Sequence, residues 1–433
     1  MEEIRRSNTK KQIILIILCC LAYGFAYVGR YSYNSNISNI INDFGVSQAS
    51  TGLIGTFFFF SYGVGQILNA FFCKYYPKRF VIAGALLISS IINCIMFFLP
   101  ATPEAFEAIK FLWLCNGICQ SVLWPTLILT LSETIEKRLL KYGILAMSVS
   151  VAIGTFLAYG GSAIFSLPSI HFYRGTYLLA ICLMMTLGVI WFCSYNTLTA
   201  QKPMIDEVQV PVKEEKKKSG VSGIPAVLAG LVAVCAVFAV ADNLIKDGFQ
   251  TWAPRILEKT FDLNISKSLA FTLVLPVFGF FGSACALWAN KLIKGFRPLT
   301  GVFYLLTSLC IGGIALIFHY GGTGTFMLII SLVLMGLIAS LTHGINNILL
   351  SIMPLTLRSK VNAGLLTGIL NGFCYLGSTI STYGIGKIAD HYDWNTVIVV
   401  LLWVSVGVTV LAGITTLIHA FKNKKNPQTE SVE

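Results

Sequence analysis

One basic residue, Arg30, lies inside a long apolar run near the start of the chain, where a charge is costly. The polar side chains that share its helical face, at intervals of four, three and four residues, are Tyr23, Tyr27, Arg30 and Asn34. A guanidinium is always charged and can hold a carboxylate or a phosphate through two parallel hydrogen bonds. This face predicts an anion-binding site that uses Arg30, Tyr27 and Asn34. The alternative is an arginine whose side chain extends to solvent at the end of the run.

A second cation, Lys246, lies in an apolar run of the later half of the chain. Asp242 precedes it by four residues and Gln250 follows it by four, so the three share one helical face. Lys246 and Gln250 are predicted to contact the anion, unless Asp242 neutralises the lysine from one turn away. Asp242 is either a structural counter-ion or a carboxylate that couples transport to protons. Asp247 points about 100° away from this face and is expected to pair elsewhere.

Uncharged polar side chains recur in the other apolar runs, where they need hydrogen-bond partners. Most are expected to join helices to one another. The candidates for additional substrate contacts are Gln66, Gln120, Trp124 and Tyr375. His343 is a second candidate for proton coupling because histidine titrates near neutral pH, although a lone histidine is usually a packed structural group. The sequence contains no Walker loop, HExxH or GxSxG motif, so we predict no enzymatic activity, no cofactor and no metal.

The composition indicates the elements that position these residues. The chain is 55% hydrophobic and only 12% charged, about half the charged fraction of an ordinary soluble protein. Its apolar runs, about twelve in number, each have the roughly 20 residues that a membrane-crossing helix requires. The sequence therefore predicts an all-α membrane protein with twelve transmembrane helices. The first apolar run has no small-residue cleavage site after it and is expected to be retained.

The positive residues that give the chain its net charge of +12 are concentrated in the predicted loops and at the termini. Most of the 31 Lys and Arg fall in the two termini, the central loop and alternate short loops. By the positive-inside rule, this bias places both termini in the cytoplasm, with the protein in the inner (plasma) membrane. The excess charge is thus an orientation signal. It does not indicate a nucleic-acid partner, and we expect a monomer in the lipid bilayer.

One long polar stretch, 196–222, divides the chain into two halves, 1–195 and 223–433. It contains KEEKKK at 213–218 and reads as a cytoplasmic linker. Arg30 and Lys246 occupy the first span of their respective halves. Similar loops follow, with Ser47 and Ser266 as the predicted helix N-caps. Two six-helix bundles with a site between them near the bilayer midplane are typical of secondary transporters.

Several short motifs resemble the major facilitator superfamily and, within it, the organophosphate:phosphate antiporters, which include glycerol-3-phosphate and hexose-phosphate transporters and a related hexose-phosphate sensor. These motifs are YVGR at 27–30, SYGVGQILNA at 61–70, NGICQSVLWP at 116–125, YR at 173–174, KDGFQTWAP at 246–254, NGFCYLGS at 371–378 and DW at 393–394. The resemblance implies the major facilitator fold and exchange of an organic phosphate for inorganic phosphate. It also implies that Arg30 and Lys246 bind the phosphoryl group.

The chain departs from this family at several positions. Lys246 stands where well-known members have arginine, and Gln66 stands where the glycerol-3-phosphate carriers have lysine. The inner-loop motif of the superfamily has an acid that helps to latch the outward-facing state. Cys73 and Asn290 stand in its place in the two halves. We therefore expect an altered conformational bias, or latching by other contacts.

Together these observations predict a secondary active transporter that moves a small anionic metabolite by alternating access. The first expectation is exchange of an organic phosphate, either a sugar phosphate or glycerol phosphate, for inorganic phosphate. Three alternatives stay open: a proton-coupled carrier of an organic anion or drug, a transporter-like membrane sensor of a phosphorylated metabolite, and an efflux pump for a neutral or cationic drug. The efflux pump should tolerate the loss of Arg30.

Overall fold

A computed structural model describes residues 2–200, 226–293, 295–321, 323–357, 361 and 363–425. Within these ranges the regular structure is helical. The sixteen α-helices are α1 (Glu2–Asn34), α2 (Ile37–Phe44), α3 (Gln48–Phe72), α4 (Lys78–Phe98), α5 (Pro103–Ser121), α6 (Leu123–Thr134), α7 (Lys137–Phe165), α8 (Gly175–Thr199), α9 (Ala226–Thr260), α10 (Ile265–Thr272), α11 (Val274–Leu292), α12 (Phe296–His319), α13 (Thr325–Asn347), α14 (Met353–Thr356), α15 (Ala363–His391) and α16 (Trp394–Lys425). A 3₁₀ turn spans Cys73–Tyr75 and a π-helical turn spans Ile348–Ile352.

Eleven segments of the described chain are long and apolar enough to cross a membrane. Several of them join consecutive helices, as in Pro103–Thr134, which combines α5 and α6. The remaining predicted crossing is α15, a helix of 29 residues. It is not among the eleven. The predicted all-α membrane architecture is confirmed.

The boundary between the halves lies slightly later than the sequence indicates. Helix α8 continues to Thr199, so the predicted linker 196–222 begins inside the last turn of α8. Helix α9 begins at Ala226. The KEEKKK run of the linker lies outside the described residues.

Of the two predicted N-caps, one is confirmed and one is wrong. The Ser47 hydroxyl caps α3 by accepting a hydrogen bond from the Ser50 amide at 3.1 Å. Helix α10 is capped by Asn264, whose side-chain oxygen accepts from the Lys267 amide at 2.8 Å. Ser266 lies in the first turn instead, and its hydroxyl donates to the Ala163 carbonyl of α7. Asparagine and serine cap with similar strength, so the sequence alone did not separate them.

Asp393, the first residue of the DW motif, caps helix α16. It precedes α16, and its carboxylate accepts hydrogen bonds from the Thr396 hydroxyl at 2.6 Å and the Thr396 amide at 2.7 Å. These donors favour the ionised form and lower the pKa of Asp393 from its ordinary value. The cap is therefore present at neutral pH and is lost when the pH falls through this lowered pKa.

The two halves are joined by hydrogen bonds at the end of the bundle opposite the chain termini, here termed the far end. Both oxygens of Asp390, in the last turn of α15, accept from the first amides of α3: Gln48 at 2.9 Å and Ala49 at 2.7 Å. One helix of the C-terminal half thus caps a helix of the N-terminal half. Farther along the same pair of helices, the Thr56 hydroxyl donates to the Thr379 carbonyl at 2.8 Å. The far end is closed in this structure.

Neutralising Asp390 is expected to loosen the far end. Asparagine keeps the shape of the side chain but removes the negative charge from the helix N-terminus, and it offers one acceptor oxygen for two amides. Loss of such a cap costs about 0.5–2 kcal/mol. In Asp390→Asn, hydrogen–deuterium exchange at the start of α3 should become several-fold faster. The matched control is Asp43→Asn, since Asp43 is a far-end carboxylate whose partner, the Tyr173 hydroxyl, belongs to the same half. Equal exchange in the two variants would contradict a latch at Asp390.

Candidate anion-binding site

Arg30 is buried in a box of aromatic rings. Its guanidinium carbon lies 4.5 Å from the ring centre of Tyr27 on α1, and 4.2 and 5.1 Å from those of Tyr62 and Phe58 on α3. Rings at these distances attract a cation through their negative faces. We term Tyr27, Phe58 and Tyr62 the aromatic box. The box stabilises the arginine charge without adding a negative charge.

Three predicted residues extend this box. Tyr375 on α15 packs against Tyr62 with ring centres 4.9 Å apart, which brings the second half of the chain to the box. Trp124 contacts the box indirectly through Tyr23, which lies 4.9 Å from Trp124 and 5.1 Å from Tyr27. The Gln66 amide donates to the Tyr62 hydroxyl at 3.1 Å and so orients it.

The charge of Arg30 is not balanced by an acid within the described residues. None of the ion pairs found there includes Arg30. Its Nε is buried and has no hydrogen-bond partner. An uncompensated charge inside a membrane bundle costs several kcal/mol and is retained at functional positions. The guanidinium is therefore available to an incoming anion.

Lys246 is paired with Asp247. Its Nζ donates to the Asn243 side-chain oxygen at 2.6 Å and lies 3.7 Å from Asp247 Oδ1. The other oxygen of Asp247 accepts a hydrogen bond from the Ser378 hydroxyl of α15. The sequence placed Asp247 off the face of Lys246. The Nζ of Lys246 nevertheless lies 3.7 Å from Asp247 Oδ1, because the lysine side chain has a flexible four-carbon stem.

Asp242 is fully buried on the same helix but is poorly partnered. Its Oδ2 accepts one long hydrogen bond, 3.3 Å, from the Asn346 amide of α13, and its Oδ1 has no partner among the described residues. The same Asn346 amide lies 3.4 Å from the Asn243 side-chain oxygen. In this structure, then, the carboxylate that contacts Lys246 is Asp247, and Asp242 belongs to an amide network between α9 and α13.

Two predicted contacts lie where the halves meet. The Asn34 amide donates to the Thr251 hydroxyl at 3.1 Å and joins α1 to α9. The neighbouring Gln250 accepts from the Tyr159 hydroxyl of α7 at 2.6 Å through its backbone carbonyl. The side-chain nitrogen of Gln250 is buried without a partner, so it can still donate to a ligand.

The last two predicted residues are Gln120 and His343, and each packs or hydrogen-bonds within its own helix or against a neighbouring helix. Gln120 donates to the Asn116 side chain at 3.1 Å, and its Oε1 is buried without a partner. His343 packs closely on α11, where a Cβ at Gly279 or Gly282 would collide with it. The glycines allow α11 and α13 to approach at the level of the imidazole.

Two residues next to the cations were not among the predicted site residues. Phe58 lies one helical turn before Tyr62, and Asn243 is adjacent to Asp242. The four-residue spacing of Phe58 and Tyr62 was visible in the sequence. However, a phenylalanine in an apolar run gives no sign that it faces a cation. Asn243 has a polar side chain but lies off the predicted stripe.

Comparison with known proteins places this geometry in a family. The sequence profile described as the Major Facilitator Superfamily matches residues 19–382. The chain belongs to the Major Facilitator Superfamily. A probable hexose phosphate transport protein of Chlamydia trachomatis is 23% identical over 415 residues, covering 88% of this chain and 86% of the relative. The membrane sensor protein UhpC of Escherichia coli is 21% identical over 436 residues, covering 97% and 93%.

Solved structures support the same fold. A bacterial homologue of the human lysosomal transporter Spinster, in an inward-facing and unoccupied conformation, superposes with a TM-score of 0.72 at 14% identity, covering 94% of this chain and 98% of that one. The nucleoside transporter NupG gives 0.66 at 14% identity, covering 93% and 98%. The major facilitator fold expected from the motifs is confirmed.

Asp247→Asn tests the charge balance of this superfamily member. Removing the acid frees Lys246, so inorganic phosphate should bind more tightly, by about tenfold, since nearby buried charges interact by a few kcal/mol and 1.4 kcal/mol is a tenfold change. Isothermal titration of the purified protein measures the affinity. Glu107→Gln, which removes an exposed acid paired with Lys110, should leave the affinity unchanged. Weaker phosphate binding in Asp247→Asn would mean that Asp247 holds Lys246 in position instead.

Proposed function

We propose that the protein is a secondary transporter of a small anionic metabolite of the organic phosphate class, exchanged for inorganic phosphate by alternating access. The observation that carries this proposal is the buried guanidinium of Arg30, held by aromatic rings and facing no acid among the described residues. Such a group binds a planar or tetrahedral oxyanion well and repels a cation. It therefore argues against the efflux of a cationic drug.

A second cation from the other half supports the same class of substrate. Arg30 on α1 and Lys246 on α9 come from facing helices of the two halves, because the Asn34 amide of α1 donates to the Thr251 hydroxyl of α9 at 3.1 Å. An anion held by both would contact α1 of one half and α9 of the other. This contact exists only when the halves are close, and it supplies the differential interaction that shifts a conformational equilibrium. Hexose phosphate appears in the names of several relatives, which makes a sugar phosphate the first candidate substrate.

The state of the structure suggests a direction of release. The distribution of Lys and Arg supports cytoplasmic termini, which would place the far end at the outer face of the inner membrane. With the far end closed by Asp390, a bound anion would leave toward the cytoplasm.

The test is counterflow in proteoliposomes loaded with inorganic phosphate. With the same pH on both sides of the membrane, labelled hexose phosphate or glycerol phosphate added outside should enter, and entry should require internal phosphate. Absence of uptake of every organic phosphate tested, by protein that is monodisperse and correctly inserted, would reject the substrate class. Uptake that is independent of internal phosphate would reject obligate exchange while keeping the anion site.

A sensor is the second candidate function. The relative named as a membrane sensor matches 97% of this chain, whereas the hexose phosphate transport protein of Chlamydia trachomatis matches 88%. A sensor would use the same anion site but would not need to cycle. Saturable binding of an organic phosphate together with no measurable counterflow would favour this function.

A further inference from the structure

The two acids on α9 are in unlike surroundings. Asp247 has Lys246 on one oxygen and the Ser378 hydroxyl on the other. Asp242 has one long bond from Asn346 and an oxygen with no partner, although it is fully buried. A buried carboxylate remains ionised when charges and donors compensate it, and otherwise takes up a proton. Of the two acids, Asp242 therefore has the surroundings that suit a carboxylate which binds a proton.

The groups around Asp242 do not alter this contrast. On α9 it faces Lys246 and Asp247, on α13 Asn346, with His343 near Lys246, on α15 Cys374, and on α12 Tyr304. The Tyr304 hydroxyl donates to the Phe238 carbonyl. Lys246 donates to Asn243, and the Asn346 amide is shared with Asn243. None of these donors bonds Oδ1 of Asp242, so a proton on that oxygen meets no competing hydrogen bond from the described residues.

The charges of the cavity explain why this proton matters. Among the described residues, the charged side chains named for this site are Arg30, Lys246, Asp242 and Asp247. With both acids ionised they sum to zero, and any bound anion would leave a buried negative charge. With Asp242 protonated they sum to one positive charge, which neutralises a singly charged anion and halves the negative charge that a doubly charged phosphate would leave. Burial makes the difference large, because an uncompensated charge is costly in a membrane bundle.

We propose that Asp242 binds a proton together with the anion, so that this carrier moves proton and anion in the same direction. The proposal rests on the proposed function. The proton comes from water on the side where the anion enters, resides on Oδ1, and leaves to water on the side where the anion is released. Linkage is reciprocal: protonation of Asp242 raises anion affinity by the same factor by which the anion raises proton affinity.

This coupling distinguishes exchange from net transport. Phosphate and a phosphate monoester carry similar charge, so each one takes a proton with it, and exchange moves no net protons. Net uptake, with no anion to return, must carry the proton inward. An inside-alkaline pH gradient should therefore drive accumulation in vesicles that contain no phosphate, and a protonophore should abolish it.

Asp242→Asn tests the proton directly, because asparagine resembles the neutral acid but cannot release a proton. Accumulation driven by the pH gradient should be lost in this variant. Glu107→Gln, which removes an exposed carboxylate paired with Lys110, should retain it. Accumulation that persists in folded and correctly inserted Asp242→Asn overturns the proposal.

A binding measurement on the wild type tests the proposal without relying on that variant. Inorganic phosphate is titrated into purified protein in buffers of different ionisation enthalpy, above the second ionisation of phosphate. The proposal predicts that binding takes up roughly one proton per phosphate, and the uptake should fall in Asp242→Asn. Phosphate binding with no proton uptake by the wild type overturns the proposal while leaving the anion site intact. If phosphate does not bind at all, the proposed function is rejected, and the proposed proton coupling is rejected with it.

Discussion

Replacing Arg30 by alanine should abolish phosphate-linked exchange. The guanidinium is the buried charge of the site that no described acid balances, and each charge-assisted hydrogen bond to an anion contributes roughly 1.5–3 kcal/mol. Two such bonds correspond to at least about a 100-fold loss of affinity, since 1.4 kcal/mol is a factor of ten. Counterflow in phosphate-loaded proteoliposomes gives the rate, and isothermal titration of phosphate gives the affinity.

Arg30→Lys separates charge from geometry. Lysine keeps the positive charge but loses the planar fork and stacks less well between Tyr27 and Tyr62. We expect an intermediate loss of phosphate affinity, about tenfold, because one of the two hydrogen bonds to the anion is lost.

The matched control for Arg30 is Arg79→Ala. Arg79 also lies over an aromatic ring, with its guanidinium carbon 4.1 Å from the ring centre of Phe192, but it lies at the start of α4, away from the aromatic box. Its removal should leave exchange within about twofold, because Arg79 contacts the ring and the backbone carbonyl of Phe192 and no residue of the aromatic box. Wild-type rates of exchange in Arg30→Ala would mean that another group binds the anion and would reject the mechanism through Arg30.

Adding a single methyl group at Gly52 should stop the transport cycle. Gly52 on α3 faces the backbone of α15, and a Cβ there would overlap the Thr382 carbonyl oxygen and lie 2.9 Å from its carbon. Both neighbours are main chain, so neither can yield without moving a helix. In Gly52→Ala the far end should fail to close, and exchange should fall by at least about tenfold, the effect of 1.4 kcal/mol.

Hydrogen–deuterium exchange reports whether the far end has opened. Amides at the start of α3 and the end of α15 should exchange faster in Gly52→Ala, because the cap from Asp390 cannot form across the wider gap. Gly84→Ala is the control: Gly84 is also a helical glycine, and a Cβ there would meet nothing within 4 Å. If the rates of amide hydrogen exchange and of substrate exchange in Gly52→Ala equal those in Gly84→Ala, the close approach of α3 and α15 is not required for the transport cycle.

The latch at Asp390 and the missing inner-loop acids both affect which end of the bundle is closed. Cys73 and Asn290 replace the acids that the superfamily uses to hold its outward-facing state, and the sequence predicts an altered conformational bias. The structure has an acid at the far end instead, where Asp390 caps α3 across the two halves. A missing latch at one end and an added latch at the other both favour the state with the far end closed.

Much of the fold could be predicted from the sequence, because the hydrocarbon core of a membrane allows few backbone structures. Apolar runs of about 20 residues can only cross the bilayer as helices. A cation inside such a run is costly enough to stand out, which is how Arg30 and Lys246 were found. Helical periodicity then placed Tyr27 on the face of Arg30, and the structure puts that ring 4.5 Å from the guanidinium carbon.

Only the tertiary structure decided which residues meet across helices. Periodicity relates positions within one helix but does not say how that helix is rotated or how closely its neighbour approaches. The contacts of Arg30 with Tyr62, of Asp247 with Ser378, and of Asp390 with α3 depend on such packing between segments distant in sequence. For the same reason, the sequence did not determine whether Lys246 pairs with Asp242 or with Asp247. The packing of α9 against α13 and α15 assigned it to Asp247 and left one oxygen of Asp242 without a partner.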